Sequence, residues 1–115
     1  MQNDSWFKYF PGAITVTDQN ATIIEMNDRS AETFQSFGGL ELIGQSVIDC
    51  HPAESQDKVR SLYQAQEPNV YTIEKQGQTK MIYQAPVYKD GELIGVVELG
   101  LPLPKEIPHF NRDLD

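Results

Sequence analysis

Cysteine is nearly absent: Cys50 stands alone in 115 residues. One thiol cannot build an internal disulfide framework, and such sparing use fits a reducing cytoplasm. Long apolar runs are missing too, with no stretch of about 18 residues that reads as a membrane-spanning helix. The opening, MQNDSWFKYFPG, has no basic start and no extended apolar segment, which argues against a secretory signal. Basic residues are scarce, nine against seventeen acidic ones, for a net charge of −8. A nucleic-acid backbone or an anionic membrane would be repelled on average, so neither is an expected partner. Glycine and proline number only eight and seven beside 10% aromatics, which excludes a disordered or collagen-like chain. Catalytic spacing is also lacking: there is no triad pattern, P-loop, HExxH or GxGxxG, and no Cys/His set has metal-ligand spacing.

What is present suffices for one domain. The chain is 39% hydrophobic, and at this length roughly two-thirds of the unfolded surface can be buried without staples. Asn3, Asp4 or Ser5 can cap a short helix carrying Trp6, Phe7, Tyr9 and Phe10, which Pro11-Gly12 stops. Four aromatics on so short a helix must pack partly on the domain body or on another chain. Ala13 to Asp18 alternates as a strand, with Ile14 and Val16 on one face and Thr15 and Thr17 on the other. Asp18-Gln19-Asn20-Ala21 reads as a turn. Thr22 to Met26 returns as a second strand, Ile24 and Met26 sharing a face. Asn27 is a good cap for a helix over Asp28 to Phe34.

Gly38-Gly39 interrupts the chain before a brief helical piece at Leu40 to Ile43. Pro52 suits the first position of a helix running to about Ala65, with Ser55, Val59, Leu62 and Tyr63 on one side. The last third is β: Val70–Lys75, Thr79–Tyr88 and Leu93–Leu101, joined by turns at Gly77 and Asp90-Gly91. Sequential hairpins around central helices predict an α+β fold, an antiparallel sheet with helices on one face. Residues 1–12 form an aromatic lead-in, 13–101 the domain and 102–115 a tail whose prolines forbid a continuing helix.

The segments AITVTDQNATIIEMNDRSAETF, LIGQSVID and DGELIGVVELGL, in this order, resemble a PAS domain over roughly Phe10 to Leu101. The DCHP, NVYTIEK and MIYQ segments and the Pro-His-Phe tail are most similar to small free-standing bacterial PAS proteins, so this is expected to be a whole protein. The resemblance implies a five-stranded antiparallel sheet cupping a few helices. It implies an interior for haem, flavin, a small organic ligand or nothing, together with homodimerisation and signal relay to a partner protein. Neither light-sensing subfamily fits: the flavin-type Asn-Cys-Arg-Phe-Leu run is missing, and Cys50 precedes Pro52 where the yellow-protein type has its cysteine after a proline.

The pocket candidates are Val16, Met26, Phe34, Val59, Leu62, Tyr71, Tyr83, Val97 and Leu99. Glu98, between Val97 and Leu99, is expected to point outward into solvent, which puts Leu93, Gly95, Val97 and Leu99 inward. Cys50 and His51 are redox or axial-ligand candidates at a helix start, but the favoured reading is a small buried thiol beside a capping histidine. Asp28 and Glu32 read as a solvated helix face. The expected function is a cytoplasmic, non-enzymatic sensory PAS module that binds a small ligand or mediates protein contacts. A ligand-free interaction scaffold is the alternative. A small α+β enzyme is the remote one, which a buried carboxylate facing the cavity would favour.

Overall fold

Local chemistry sets the turns. Gln76 and Gly77 have φ of 54° and 80°, Asp90 and Gly91 have 53° and 82°. Left-handed dihedrals at both central residues give the turn whose twist matches that of its flanking strands. At the first hairpin the Asp18 carboxylate accepts from the amides of Asn20 and Thr22, at 2.9 and 3.0 Å. Ala21 takes φ 66° there and is buried.

The computed structural model describes residues 6–113. It runs α1 (Trp6–Tyr9), β1 (Ala13–Asp18), β2 (Ile23–Met26), α2 (Asp28–Thr33), 3-10 turns at Gln35–Phe37 and Gly39–Leu42, α3 (Ala53–Leu62), β3 (Asn69–Lys75), β4 (Gln78–Lys89) and β5 (Glu92–Pro102). The strands make one antiparallel five-stranded sheet in the order β2-β1-β5-β4-β3. This is the α+β arrangement the hairpin pattern implied. The N-terminal caps expected at Asn3, Asp4 or Ser5 lie outside the described residues.

Three details of the pattern differ. In β2, Ile23 and Met26 are buried while Ile24 is 44% exposed. A bulge is the reason: Thr17 pairs with Ile23 and Val16 with Glu25, so Ile24 is the extra residue and the alternation slips by one. Helix α3 begins at Ala53 with Pro52 as its cap, and it ends at Leu62, short of Ala65. Its last amides close i to i−3, Tyr63 onto Arg60 and Gln64 onto Ser61, which tightens the helix into a turn. Asp28 is not merely solvated. It pairs with Lys8 at 2.9 Å and ties α1 to α2, a half-exposed bridge of small energetic weight.

Asn27 carries the expected cap and more. Its Oδ1 accepts from the amides of Ser30 at 3.0 Å and Ile14 at 2.9 Å, and its Nδ2 donates to the Gly12 carbonyl at 2.8 Å. The helix start and the first strand are thereby fixed by one buried side chain. Ile23, Met26 and Leu42 form the core cluster, with Phe34 and Val47 packed against it. Beyond Pro102 no helix follows through Asp113. Instead the tail adds one ladder bond, Leu103 N to Thr79 O at 2.9 Å. No helix of the described residues is long and apolar enough to cross a membrane.

Candidate functional site

The register of the strands decides which side chains meet. Thr15 faces Glu98, Glu98 faces Gln84, and Gln84 faces Asn69, a polar row across four strands. One residue away, Ile14, Leu99, Tyr83 and Val70 make an apolar row. Because side chains alternate between faces, the two rows lie on opposite sides of the sheet. The polar row faces the helices: Thr15, Gln84 and Glu98 line a cleft of about 900 Å³ between the sheet and the helical segments.

The expected phase of β5 is therefore corrected. Glu98 points inward, and the candidates Val16, Tyr83, Val97 and Leu99 lie on the outer face, away from the cleft. Gly95 does not leave space beside the strand either. A Cβ there would sit 2.1 Å from the Thr17 carbonyl oxygen, so its lack of a side chain permits a backbone contact. Of the other candidates, the structure brings Met26, Phe34, Val59, Leu62 and Tyr71 together around the cleft, with Cys50 and His51 also in its wall. Sequence reasoning missed Thr17, Tyr63, Gln84 and Glu98. The one trace in the sequence was a polar residue in the mostly apolar middle of each strand, Gln84 and Glu98, and their pairing was not visible without the sheet register.

Hydrogen bonds order the floor of the cleft. The Asn69 amide donates to Gln84 Oε1 at 2.8 Å, and Gln84 Nε2 donates to Glu98 Oε2 at 2.7 Å. Thr15 and Ser30 hydroxyls share a bond of 2.6 Å. Helix α3 has no fully buried residue, and its Val59 and Leu62 face the cleft half-buried. Two bonds from the segment after it reach the sheet: the Tyr63 hydroxyl meets Thr17 Oγ1, and the Tyr88 hydroxyl donates to the Ala65 carbonyl at 2.9 Å. Burial raises the Tyr63 phenol above its ordinary pKa, opposed by the Thr17 bond and assisted by the charges of Asp18 and Glu98. Tyr71 is raised by burial and then by Glu98.

Cys50 is exposed, not a buried core sulfur. The turns before α3 bring it to the rim, because Val47 supplies the inward contact to the core and the chain then reverses through Cys50 N–Ser46 O and His51 N–Ile48 O. His51 is exposed as well, with Nδ1 held 2.6 Å from the Val47 carbonyl. Among the described residues no cluster of His, Cys, Asp or Glu could hold a metal ion.

No family model and no curated protein matches this chain. Solved structures do. A PAS domain of the BvgS protein of Bordetella pertussis is 21% identical, with 85% of this chain and 81% of that one covered at a TM-score of 0.60. A PAS domain of an HTR-like protein from Haloarcula marismortui is 18% identical, covering 87% and 88% at 0.59. The chain has the PAS fold. A further PAS neighbour, a receptor of Vibrio cholerae described as a dual PAS-haem oxygen sensor, is 17% identical and covers 81% and 95% at 0.61.

Haem can be tested against this PAS cleft directly. A haem brings two propionates, and a flavin nucleotide brings at least one phosphate. The residues lining the cleft include no Lys or Arg to receive such groups, and Glu98 would repel them. The side chains present do not fit either anionic cofactor.

Proposed function

We propose that this PAS domain is a sensory module that holds a small organic ligand between its sheet and α3 and passes the occupancy on through protein contacts. The observation that carries the reading is the cleft of about 900 Å³ with mostly apolar walls and an ordered polar row on its floor. Pockets for small molecules have this make-up, an apolar enclosure with a few placed polar groups. Helix α3 is the element to respond, since it is tethered mainly at its C-terminal side and buries no residue fully. A ligand that contacts both Leu62 and the floor would favour one placement of α3 over others, and the population shifts accordingly.

The outer face supports a second feature, a homodimer. Val70 and Tyr83 are 46% and 36% exposed in the apolar row there, and Trp6 and Tyr9 of α1 are each 66% exposed. The same exposure favours the scaffold reading, in which contacts alone matter and the cleft stays empty.

Native and denaturing mass spectrometry of freshly purified protein, with an absorption spectrum, tests these readings together. A small mass lost on denaturation supports the ligand reading. A bare polypeptide mass, with no ligand found by a metabolite screen, would leave the scaffold.

A further inference from the structure

Resting on the reading of the cleft as a ligand site, we propose that its ligand is an organic cation: an amine on an apolar or aromatic body, with the Glu98 carboxylate as its counter-charge.

Glu98 is the only Asp or Glu among the described residues lining the cleft, and neither Lys nor Arg joins it there. It stands on β5, the central strand of the sheet, so the charge lies on the floor of the cleft and not at its rim. Its protein partner is neutral. Gln84 Nε2 donates to Oε2, and the Gln84 carbonyl is already taken by Asn69, which fixes the amide with its donor end toward Glu98. No described residue donates a hydrogen bond to the second oxygen, Oε1, and no described Lys or Arg makes an ion pair with Glu98. The row thus holds the carboxylate in one orientation and leaves part of it for an incoming group.

Occupancy by different chemical classes has different consequences. A neutral apolar ligand would strip water from a carboxylate that has one amide to replace it, which is unfavourable. An anion would add repulsion in a space of lowered dielectric. A protonated amine restores both the charge balance and the missing hydrogen bonds, and charge-assisted bonds are about twice as strong as neutral ones. Tyr63 and Tyr71 also line the cleft, and their ring faces attract cations. The negative charge of Glu98 also helps raise both phenols above their ordinary pKa, after burial. The net charge of −8 adds a field that concentrates cations around the chain.

The test is calorimetric titration of the full chain with three probes sharing one aryl-alkyl body: 2-phenylethylamine, 2-phenylethanol and 3-phenylpropionate. The amine is expected to bind about tenfold or more tightly than the alcohol, and the acid to bind worst. Glu98→Gln keeps the shape and can still accept from Gln84, so circular dichroism should be unchanged while the advantage of the amine disappears. Equal or better binding of the alcohol or acid overturns the proposal, as does an amine preference that survives in Glu98→Gln. Failure of all three to bind up to about 10 mM overturns it too. The cleft reading itself is judged separately, by the mass released from freshly purified protein, and an anionic or neutral mass would sustain it while sinking the cation.

Discussion

Asn27 joins three segments through one amide: the start of α2, the beginning of β1 and the turn at Gly12. It is 1% exposed and each of its polar atoms is used. Removing a cap costs about 1 kcal/mol, and stranding a buried backbone donor or acceptor costs about 1–3 kcal/mol more. Asn27→Ala should therefore lower unfolding stability by about 3 kcal/mol, read as a drop in the urea midpoint at unchanged slope. A change below about 1 kcal/mol would show that water replaces the amide. Tyr63 supplies a pH dependence. Its phenol pKa is raised in the folded state above the ordinary 10.0, so the native chain holds that proton more tightly than the unfolded one. The associated stability is complete below pH 10.0 and is lost as pH rises through the folded value. Urea titrations from about pH 9 to about pH 11.5 should show stability falling, and falling less steeply in Tyr63→Phe. Tyr71, raised in the same direction, leaves a residual slope.

Among elements, β5 holds the sheet together, paired with β1 on one side and β4 on the other. Its approach to β1 requires Gly95, whose Cβ position lies 2.1 Å from the Thr17 oxygen. Gly95→Ala should cost about 3 kcal/mol or prevent folding, because backbone must move to admit the methyl. Gly77→Ala is the contrast: its φ is +80° but nothing lies within 4 Å, so only the dihedral strain of about 1–2 kcal/mol is expected. Similar losses at both sites, measured by thermal or urea unfolding, would show that the contact relaxes freely. The face of β5 illustrates where the sequence is ambiguous. Leu93, Gly95, Val97, Leu99 and Ile94, Val96, Glu98, Gly100 are both plausible inward sets, since Val96-Val97 breaks the alternation. Counting hydrophobic residues favours the first set. Of the second set the helices cover Val96 and Glu98, because the register of β5 with β1 and β4 sets which face of the sheet they meet. Ile94 falls at an irregularity in the β4–β5 pairing and stays exposed.

At the scale of the whole molecule, the sheet has two chemically different faces. One is polar at its centre and covered by helices, the other apolar and partly exposed. Exposed apolar surface of this kind marks interaction sites. The chain is expected to be a dimer in light scattering, and Tyr83→Glu, in the middle of the outer row, should weaken it by at least about tenfold through a buried charge. Persistence of the dimer at the same concentration would move the interface elsewhere. Phe7 is buried while Trp6 and Tyr9 are open, so the aromatic segment divides its ring surface between the domain and the space beside it.

The succession of elements was legible in the sequence alone, because it rests on local chemistry. Asn27 caps whatever helix follows it, Asp90-Gly91 turns any hairpin, and Pro102 and Pro104 block a helix wherever the chain goes. Much of the cleft was legible as well, through Met26, Phe34, Val59 and Leu62, whose spacing marks the covered sides of their helices and strand. The polar row was not. Glu98, Gln84 and Asn69 are 14 and 15 residues apart, and only pairing of β5 with β4 and of β4 with β3 brings them together. Nor could the sequence expose Cys50, since its burial depends on how the chain reverses before α3. Period-two alternation determines which residues share a face of a strand, but which face becomes the interior is decided by what packs against it.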